Sequence, residues 1–330
     1  MTNVVVITPI EPELVARIAA AGATVRVLDA GERRALNGTV QDAAALERLA
    51  AALQGAEVVF GVGRLPGDLL TRAPRLRWYQ AMTAGVDRVH PALFAAPTFT
   101  VTSARGHNAG AVAEHVLWAL LALARQGPRL LRSQWDRRWE RLTPGELAGR
   151  TVGILGFGGI GAEVARRARA FDMRVVATKR SARPGDSDPL LDELLPPDGT
   201  ERVLAESDAV VVAVPLTPET RHLIDAAALR RMRSSAVLID VSRGGITDCV
   251  ALAQALADGV IAGAALDVSE PEPLPADSPL WTMENVIITP HISGSSAAFN
   301  ERAVAIFLDN LARFRRGEPL RNVVDPERGY

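Results

Sequence analysis

The stretch Thr151-Val152-Gly153-Ile154-Leu155-Gly156-Phe157-Gly158-Gly159-Ile160-Gly161 decides how this chain is read. Its opening residues are uncharged and rich in β-branched side chains, the pattern of a buried strand. A Gly-x-Gly-x-x-Gly turn follows, and then a helical pattern over Ala162–Ala170. The first glycine permits a tight turn, the second lets the backbone approach a pyrophosphate, and the third lets helix and strand pack closely. Amides at the helix start then face the phosphates. In a chain rich in alanine and glycine the pattern alone is weak, and a bare strand–helix turn is the other reading. Its place directly between a strand and a helix favours dinucleotide binding.

The ribose end refines this. A site for NAD places Asp or Glu about 20 residues on, at the end of the second strand. Here the run Arg174–Thr178 ends in Lys179-Arg180-Ser181, with no carboxylate. Two cations and a hydroxyl attract a 2′-phosphate that an acid would repel. NADP(H) is therefore expected in preference to NAD(H), which stays possible; exposed cations that merely end a strand are the other reading. Lys179 is the only lysine, every other basic residue being arginine.

Outward from the turn the pattern repeats. Thr151–Leu155, Arg174–Thr178, Ala209–Val214, Ala236–Val241, Ile261–Val268 and Val286–Thr289 are apolar or β-branched runs with helical patterns between them. Six such strands read as a doubly wound parallel sheet. An earlier series comprises Val4–Ile7, Val25–Leu28, Glu57–Val62, Arg77–Ala81 and Thr98–Val101, with helices near Glu13–Ala20 and Ala43–Leu53. Between the series, Ala111–Arg125 is apolar almost all round and reads as a buried inter-domain helix. Arg180–Thr200, rich in Pro, Gly and Asp, reads as a surface connection. Ala297–Arg316 is amphipathic and is expected to return the chain to its first domain.

The 330 residues are 48% hydrophobic and 23% charged, which suits two globular domains. Lys+Arg is 37 and Asp+Glu 38, giving a net charge of -1. Such a balance supplies no broad reason to bind nucleic acid or an anionic membrane. The single cysteine, Cys249, excludes an intrachain disulfide framework and suits a reducing, cytoplasmic compartment. The N-terminus lacks the basic start and apolar run of a signal peptide. Ala111–Ala124 carries Glu114 and His115 and is too short to span a bilayer.

Three segments follow the ends of parallel strands, the edge where open α/β sheets bind ligands. They are Val241-Ser242-Arg243-Gly244-Gly245-Ile246-Thr247-Asp248, Leu266-Asp267-Val268-Ser269-Glu270-Pro271-Glu272-Pro273, and Thr289-Pro290-His291-Ile292-Ser293-Gly294. Singly, Arg243 reads as an ion-pair partner, Glu272 as a loop charge and His291 as a turn histidine. Together, each after a strand, they read as a site. His90, His107, His115 and His222 lack such company; His115 reads as a helix residue beside Glu114, and the others as surface or substrate-edge residues. No spacing suggests a metal site.

The chain resembles the D-isomer-specific 2-hydroxyacid dehydrogenases. The likeness rests on Tyr79-Gln80-Ala81-Met82-Thr83-Ala84-Gly85-Val86-Asp87, Val112-Ala113-Glu114-His115, the glycine turn, Val214-Pro215-Leu216-Thr217-Pro218-Glu219-Thr220 and the three strand-end segments. It points to an NADPH-preferring glyoxylate/hydroxypyruvate or 2-ketoacid reductase branch. It implies two Rossmann-like domains, with a dinucleotide-binding domain over 102–292 inserted in a flavodoxin-like substrate domain formed by 1–101 and 293–330. It implies Arg243, Glu272 and His291 as the catalytic residues, Glu272 standing five after Asp267 and Glu270 being a decoy. Cofactor contacts are expected from Gly156, Phe157, Gly158, Gly159, Ile160, Gly161, Lys179, Arg180, Ser181, Pro215, Thr220, Val241, Arg243, Asp267, His291 and Gly294. Substrate contacts are expected from the backbone at Ala84 and Gly85 and from Arg243 and His291; Arg64, on a second loop over Val62–Leu65, reads equally as a further substrate contact or as a solvated loop cation. A homodimer is implied, with Ala111–Ala124 and Trp135–Trp139 as plausible contact surfaces, and Thr102–Gly110 as part of a hinge.

These side chains suit the chemistry. Reducing a 2-oxo acid moves a hydride to C2 and leaves charge on the former carbonyl oxygen. His291 can deliver the proton, a neighbouring carboxylate favours its protonated form, and Arg243 can hold the substrate carboxylate while polarising the carbonyl. The rivals are NAD-dependent oxidation of a D-2-hydroxy acid, and a dinucleotide-sensing scaffold without turnover. The end at Tyr330 is expected to leave out the long regulatory extension of some such oxidisers, and the Glu272–His291 pair argues against a formate oxidiser.

Overall fold

A computed structural model describes every residue except Val40, Gln41, Asp87 and 326–330, so Asp87 of the motif above lies outside the described residues. The chain divides into two compact units, Met1–Asn108 with the segment from Ser296 onward, and Ala109–Ser295. The bounds that the family likeness implies, 101/102 and 292/293, lie seven and three residues before these divisions.

The first unit runs β1 (Thr2–Val6), α1 (Pro12–Ala20), β2 (Ala23–Val27), α2 (Ala30–Leu36), α3 (Ala43–Gln54), β3 (Val58–Gly61), α4 (Leu69–Arg72), β4 (Trp78–Ala81), α5 (Pro91–Phe94) and β5 (Thr100–Thr102). All pairings are parallel, in the flavodoxin-like order β2-β1-β3-β4-β5. Alternation along β1 explains why both faces are covered. Val4 and Val6 join one apolar cluster with Phe60 and Trp78, and Val5 and Ile7 join another with Val59 and Tyr79. Helix α2 went unread in the sequence, where apolar periodicity is weak. A capping box starts it: Asp29 accepts from the Glu32 amide at 2.8 Å and Glu32 accepts from the Asp29 amide at 2.7 Å.

The second unit runs α6 (Ala109–Ala124), α7 (Gly127–Trp135), β6 (Thr151–Leu155), α8 (Gly159–Arg169), β7 (Arg174–Thr178), β8 (Glu193–Leu195), α9 (Thr200–Glu206), β9 (Ala209–Val212), α10 (Ala226–Arg231), β10 (Val237–Asp240), α11 (Cys249–Ala257), β11 (Gly263–Leu266) and β12 (Val286–Ile288). The final helix, α12 (Phe299–Arg316), belongs to the first unit, where Phe307 stacks on Phe60 and Trp78. The sheet of the second unit is parallel in the order β12-β11-β10-β9-β6-β7-β8. It therefore has seven strands, not six. The extra strand, β8, lies inside the segment read as a plain surface connection. Three residues on a sheet edge carry too short a pattern to be seen in the sequence.

One face of this sheet packs Val152, Ile154, Val175 and Ile239 against α6 and α8, and the other packs Val210, Val212 and Leu238 against α10 and α11. Chain direction across the sheet reverses between β6 and β9, the switch point where such sheets bind ligands. Helix α6 is not buried all round as its composition suggested. Val112, Val116 and Leu120 are buried, whereas Trp118 is 48% exposed. Among the described residues no helix is long and apolar enough to cross a membrane.

Candidate active site

The glycine turn after β6 has the shape its sequence demands. Gly156 has φ +101°, and a Cβ there would lie 2.7 Å from the Ala213 carbonyl oxygen. A Cβ on Gly161 would lie 2.6 Å from the Gly156 carbonyl oxygen. Gly158 differs: a Cβ there would meet nothing within 4 Å. It faces open space at the start of α8, where first-turn amides have no acceptor within the helix. An open glycine beside unpaired helix-start donors fits a dinucleotide's phosphates.

The turn is tied to β7, because the amides of Gly156 and Phe157 donate to the Thr178 carbonyl at 3.2 and 2.7 Å. Lys179 begins the next segment, with Nζ 5.8 Å above the Phe157 ring centroid. Lys179, Arg180 and Ser181 are exposed. On the other side of the switch point, Thr220 Oγ1 donates to the Pro215 carbonyl at 2.6 Å and accepts from the Thr217 amide at 2.8 Å, folding the loop after β9. On that loop, hydrogen bonding to Thr217 and, more weakly, the Arg180 charge hold the Glu219 carboxyl below the usual carboxylate range. Val241 is buried, its amide turned to the Val212 carbonyl at 3.3 Å.

The ends of β10, β11 and β12, neighbours in the sheet, each carry one of the sequence-identified residues. Asp240 closes β10 and is wholly buried. It accepts from the Ser242 amide at 3.0 Å, from the Ser242 hydroxyl, and from Thr247 Oγ1 at 2.6 Å. Both ends of the Ser242–Thr247 loop are thus fastened to one carboxyl group, which burial pushes up in pKa. Within that loop Arg243 Nη1 donates to the Ser242 carbonyl at 2.8 Å. Gly244 passes so close to the Ser269 carbonyl that a Cβ would collide with it. The arginine loop therefore lies directly against the loop that carries Glu272.

Asp267, just past β11, plays the corresponding part for the histidine turn. It is 2% exposed and accepts from Thr289 Oγ1 at 2.6 Å, the Ile292 amide at 2.9 Å and the Ser293 amide at 2.8 Å. Its carbonyl accepts from the His291 amide at 2.8 Å. His291 itself sits at φ +54°, a left-handed conformation that needs such anchoring in a non-glycine residue. Its Nδ1 lies 2.9 Å from Glu272 Oε1, and both side chains are about half exposed. Gly294 completes this turn, with the Ser295 amide donating to the Ile292 carbonyl at 2.8 Å. An imidazole oriented through Nδ1 by a carboxylate keeps Nε2 for a proton transfer.

Glu270, two residues from Glu272, faces elsewhere. It pairs with Arg221 at 2.7 Å and with His222 Nε2 at 3.3 Å, and the arginine hydrogen bond holds its carboxyl below the usual range. His222, read as a surface residue without company, thus has a carboxylate partner. His115 needs the same correction: its Nε2 lies 3.2 Å from Thr289 Oγ1, at the base of the His291 turn. Arg64, Ala84 and Gly85 lie in the other unit, in the loops after β3 and β4, at the C-terminal edge of the five-stranded sheet. Arg64 is exposed, with its amide donating to Asn37 Oδ1 at 3.0 Å, and Thr83 Oγ1 donates to the Gly85 carbonyl at 2.7 Å.

Sequence reading passed over Asp240, Thr247 and Thr289, the groups that hold the loops rather than carry the reaction. One signal for Asp240 was present: a carboxylate directly ending the apolar run Val237-Leu238-Ile239 must find donors in the fold.

Residues 117–293 match the model of the D-isomer specific 2-hydroxyacid dehydrogenase NAD binding domain. The chain belongs to the D-isomer specific 2-hydroxyacid dehydrogenase family. It is 37% identical over 269 residues to a glyoxylate reductase of Korarchaeum cryptofilum, covering 80% of each chain. A D-isomer specific 2-hydroxyacid dehydrogenase from Xanthobacter autotrophicus, solved with NADPH and MES, superposes with a TM-score of 0.82 at 33% identity over 100% of this chain and 99% of that one. An NADPH-dependent glyoxylate/hydroxypyruvate reductase from Sinorhizobium meliloti, solved with NADP and sulfate, gives 0.81 at 31% identity over the whole of both chains. As a 2-hydroxyacid dehydrogenase the chain is a hydride-transferring oxidoreductase acting on a CH–OH group with a nicotinamide dinucleotide.

Proposed function

We propose that this dehydrogenase works as an NADPH-preferring reductase of small 2-oxo acids such as glyoxylate or hydroxypyruvate. The observation that carries the reading is the Glu272–His291 hydrogen bond of 2.9 Å, placed beside the arginine loop at the ends of adjacent strands. The bound nicotinamide supplies the hydride. His291, oriented by Glu272 through Nδ1, donates its proton from Nε2 to the oxygen that gains charge at C2, and takes it back when the 2-hydroxy acid is oxidised. Arg243 holds the substrate carboxylate and polarises the carbonyl with its planar set of donors. Asp267 and Gly294 line the nicotinamide end, and Gly158 with the start of α8 receives the pyrophosphate.

Preference for the 2′-phosphate rests on Lys179, Arg180 and Ser181, exposed where an NAD site has an acid. Relatives solved with NADPH or NADP support the same choice. Arg64 and the backbone at Ala84 and Gly85 are the substrate-side contacts. The unit Ala109–Ser295 is the body of the dinucleotide-binding domain, which the family likeness draws at 102–292, and the other unit is that of the substrate domain. The working form is a cytoplasmic homodimer that uses the exposed Trp118 face of α6 and the exposed Trp135 and Trp139.

The test is a panel of 2-oxo acids, each assayed with NADPH and NADH. The expected result is turnover of a two- or three-carbon 2-oxo acid with kcat/KM higher for NADPH. Equal values, or a preference for NADH, reject the cofactor assignment. Dinucleotide binding with no turnover of any 2-oxo acid rejects the reductase itself and favours a sensing scaffold.

A further inference from the structure

His115 lies on α6, away from every strand-end loop in sequence, yet its ring reaches the base of the His291 turn. The polarity of the contact follows from proton counting. Thr289 has one hydroxyl proton, and Asp267 Oδ1, 2.6 Å away, is a carboxylate oxygen that only accepts. The hydroxyl proton therefore points to Asp267, and the hydroxyl's lone pair faces His115 Nε2 at 3.2 Å. Nε2 must then carry a hydrogen. Burial disfavours the imidazolium and pulls the His115 pKa down, with the Asp267 charge opposing it, so the donor is the neutral ring protonated at Nε2. Trp118, one turn along the helix, lies 5.1 Å from it between ring centroids in a tilted contact.

The chain has one direction: His115 Nε2–H to Thr289 Oγ1–H to Asp267. Asp267 in turn gathers Thr289, Ile292 and Ser293, which bracket His291 on both sides. A free threonine hydroxyl rotates among several acceptors, and a donor on its lone pair removes that freedom. Resting on the function proposed above, we infer that His115 is a positioning residue: by fixing the Thr289 hydroxyl toward Asp267, it holds the turn that presents His291. His115 touches neither substrate nor cofactor in this account.

The test combines a double-mutant cycle with a signature that needs no turnover. His115→Phe keeps the ring volume but loses the donor, His115→Gln keeps a donor, Thr289→Val loses the hydroxyl, and Thr289→Ser keeps it. His115→Phe and Thr289→Val are each expected to lower kcat about tenfold, with dinucleotide Kd changed less than about twofold, because one linked hydrogen bond is lost. The double variant should be no worse than either single one, and Thr289→Ser and His115→Gln should recover most of the rate. In the ligand-free protein, nitrogen NMR should show His115 protonated at Nε2, with that resonance displaced in Thr289→Val. Additive losses, an unchanged kcat with only a lower Tm, or a ring protonated at Nδ1 would each overturn the inference. Wild-type protein that reduces no 2-oxo acid defeats the proposed function instead, and the NMR result then decides on the chain by itself.

Discussion

The end of β7 and the ends of β10 to β12 lie on the same edge of one sheet and are built in opposite ways. At β7 the side chains proposed to meet the cofactor's ribose end, Lys179, Arg180 and Ser181, are exposed. At β10 and β11 a buried carboxyl group sits under each loop, Asp240 beneath Arg243 and Asp267 beneath His291, and each gathers three donors. The contrast teaches where change is tolerated. Residues that discriminate one cofactor from another need only be present at the surface. Residues that move protons must be held within a fraction of an ångström, and that rigidity comes from polar groups buried behind them.

The contrast is tested most severely at His291. His291→Ala should lower kcat by about 10²–10⁴-fold, the usual loss for a general acid, while NADPH affinity by fluorescence titration changes little. A variant with near-normal rates would remove the proton donor from this account. At the β7 end the effect should be smaller and should fall on selectivity. Lys179→Asp combined with Arg180→Ala is expected to swing the ratio of kcat/KM for NADPH over NADH by about 10–100-fold toward NADH, since charge-assisted contacts to a phosphate are lost. Loss of activity with both cofactors alike would mean that the β7 end is as rigidly coupled to the chemistry as the catalytic loops, and the contrast would fail.

The smallest effect lies in the other unit and concerns stability. His107 is buried, its Nδ1 donating to the Ala104 carbonyl at 2.7 Å, and its Nε2 has no partner among the described residues. Burial pulls its pKa down. The unfolded chain therefore binds a proton that the folded chain resists, so stability is full at neutral pH and declines as pH falls below the unfolded value of about 6.5. His107→Phe should flatten part of that slope in denaturant titrations between neutral and mildly acid pH. An identical slope in the variant would assign the acid sensitivity elsewhere.

Much of this was legible without coordinates, for identifiable reasons. The glycine turn announces itself because its glycines answer separate steric demands, and the parallel strands because each is a continuous apolar run. Arg243 and His291 stood out together because each follows such a run, whereas the choice of Glu272 over Glu270 came from the family resemblance. What stayed hidden depends on pairing across the fold. β8 is three residues long, and its identity as a strand rests on β7 beside it. Helix α2 starts by reciprocal capping between Asp29 and Glu32, and its apolar face is narrow. His115 and Thr289 are 174 positions apart, so no local pattern joins them.

The most direct test is a crystal structure of the protein with NADPH and an unreactive 2-oxo acid analogue such as oxamate. The analogue's carboxylate is expected on the Arg243 guanidinium and its keto-equivalent oxygen within about 2.6–3.2 Å of His291 Nε2, with Nδ1 still on Glu272. An analogue bound away from both residues, or His291 turned so that Nε2 faces Glu272, would contradict the proposed mechanism.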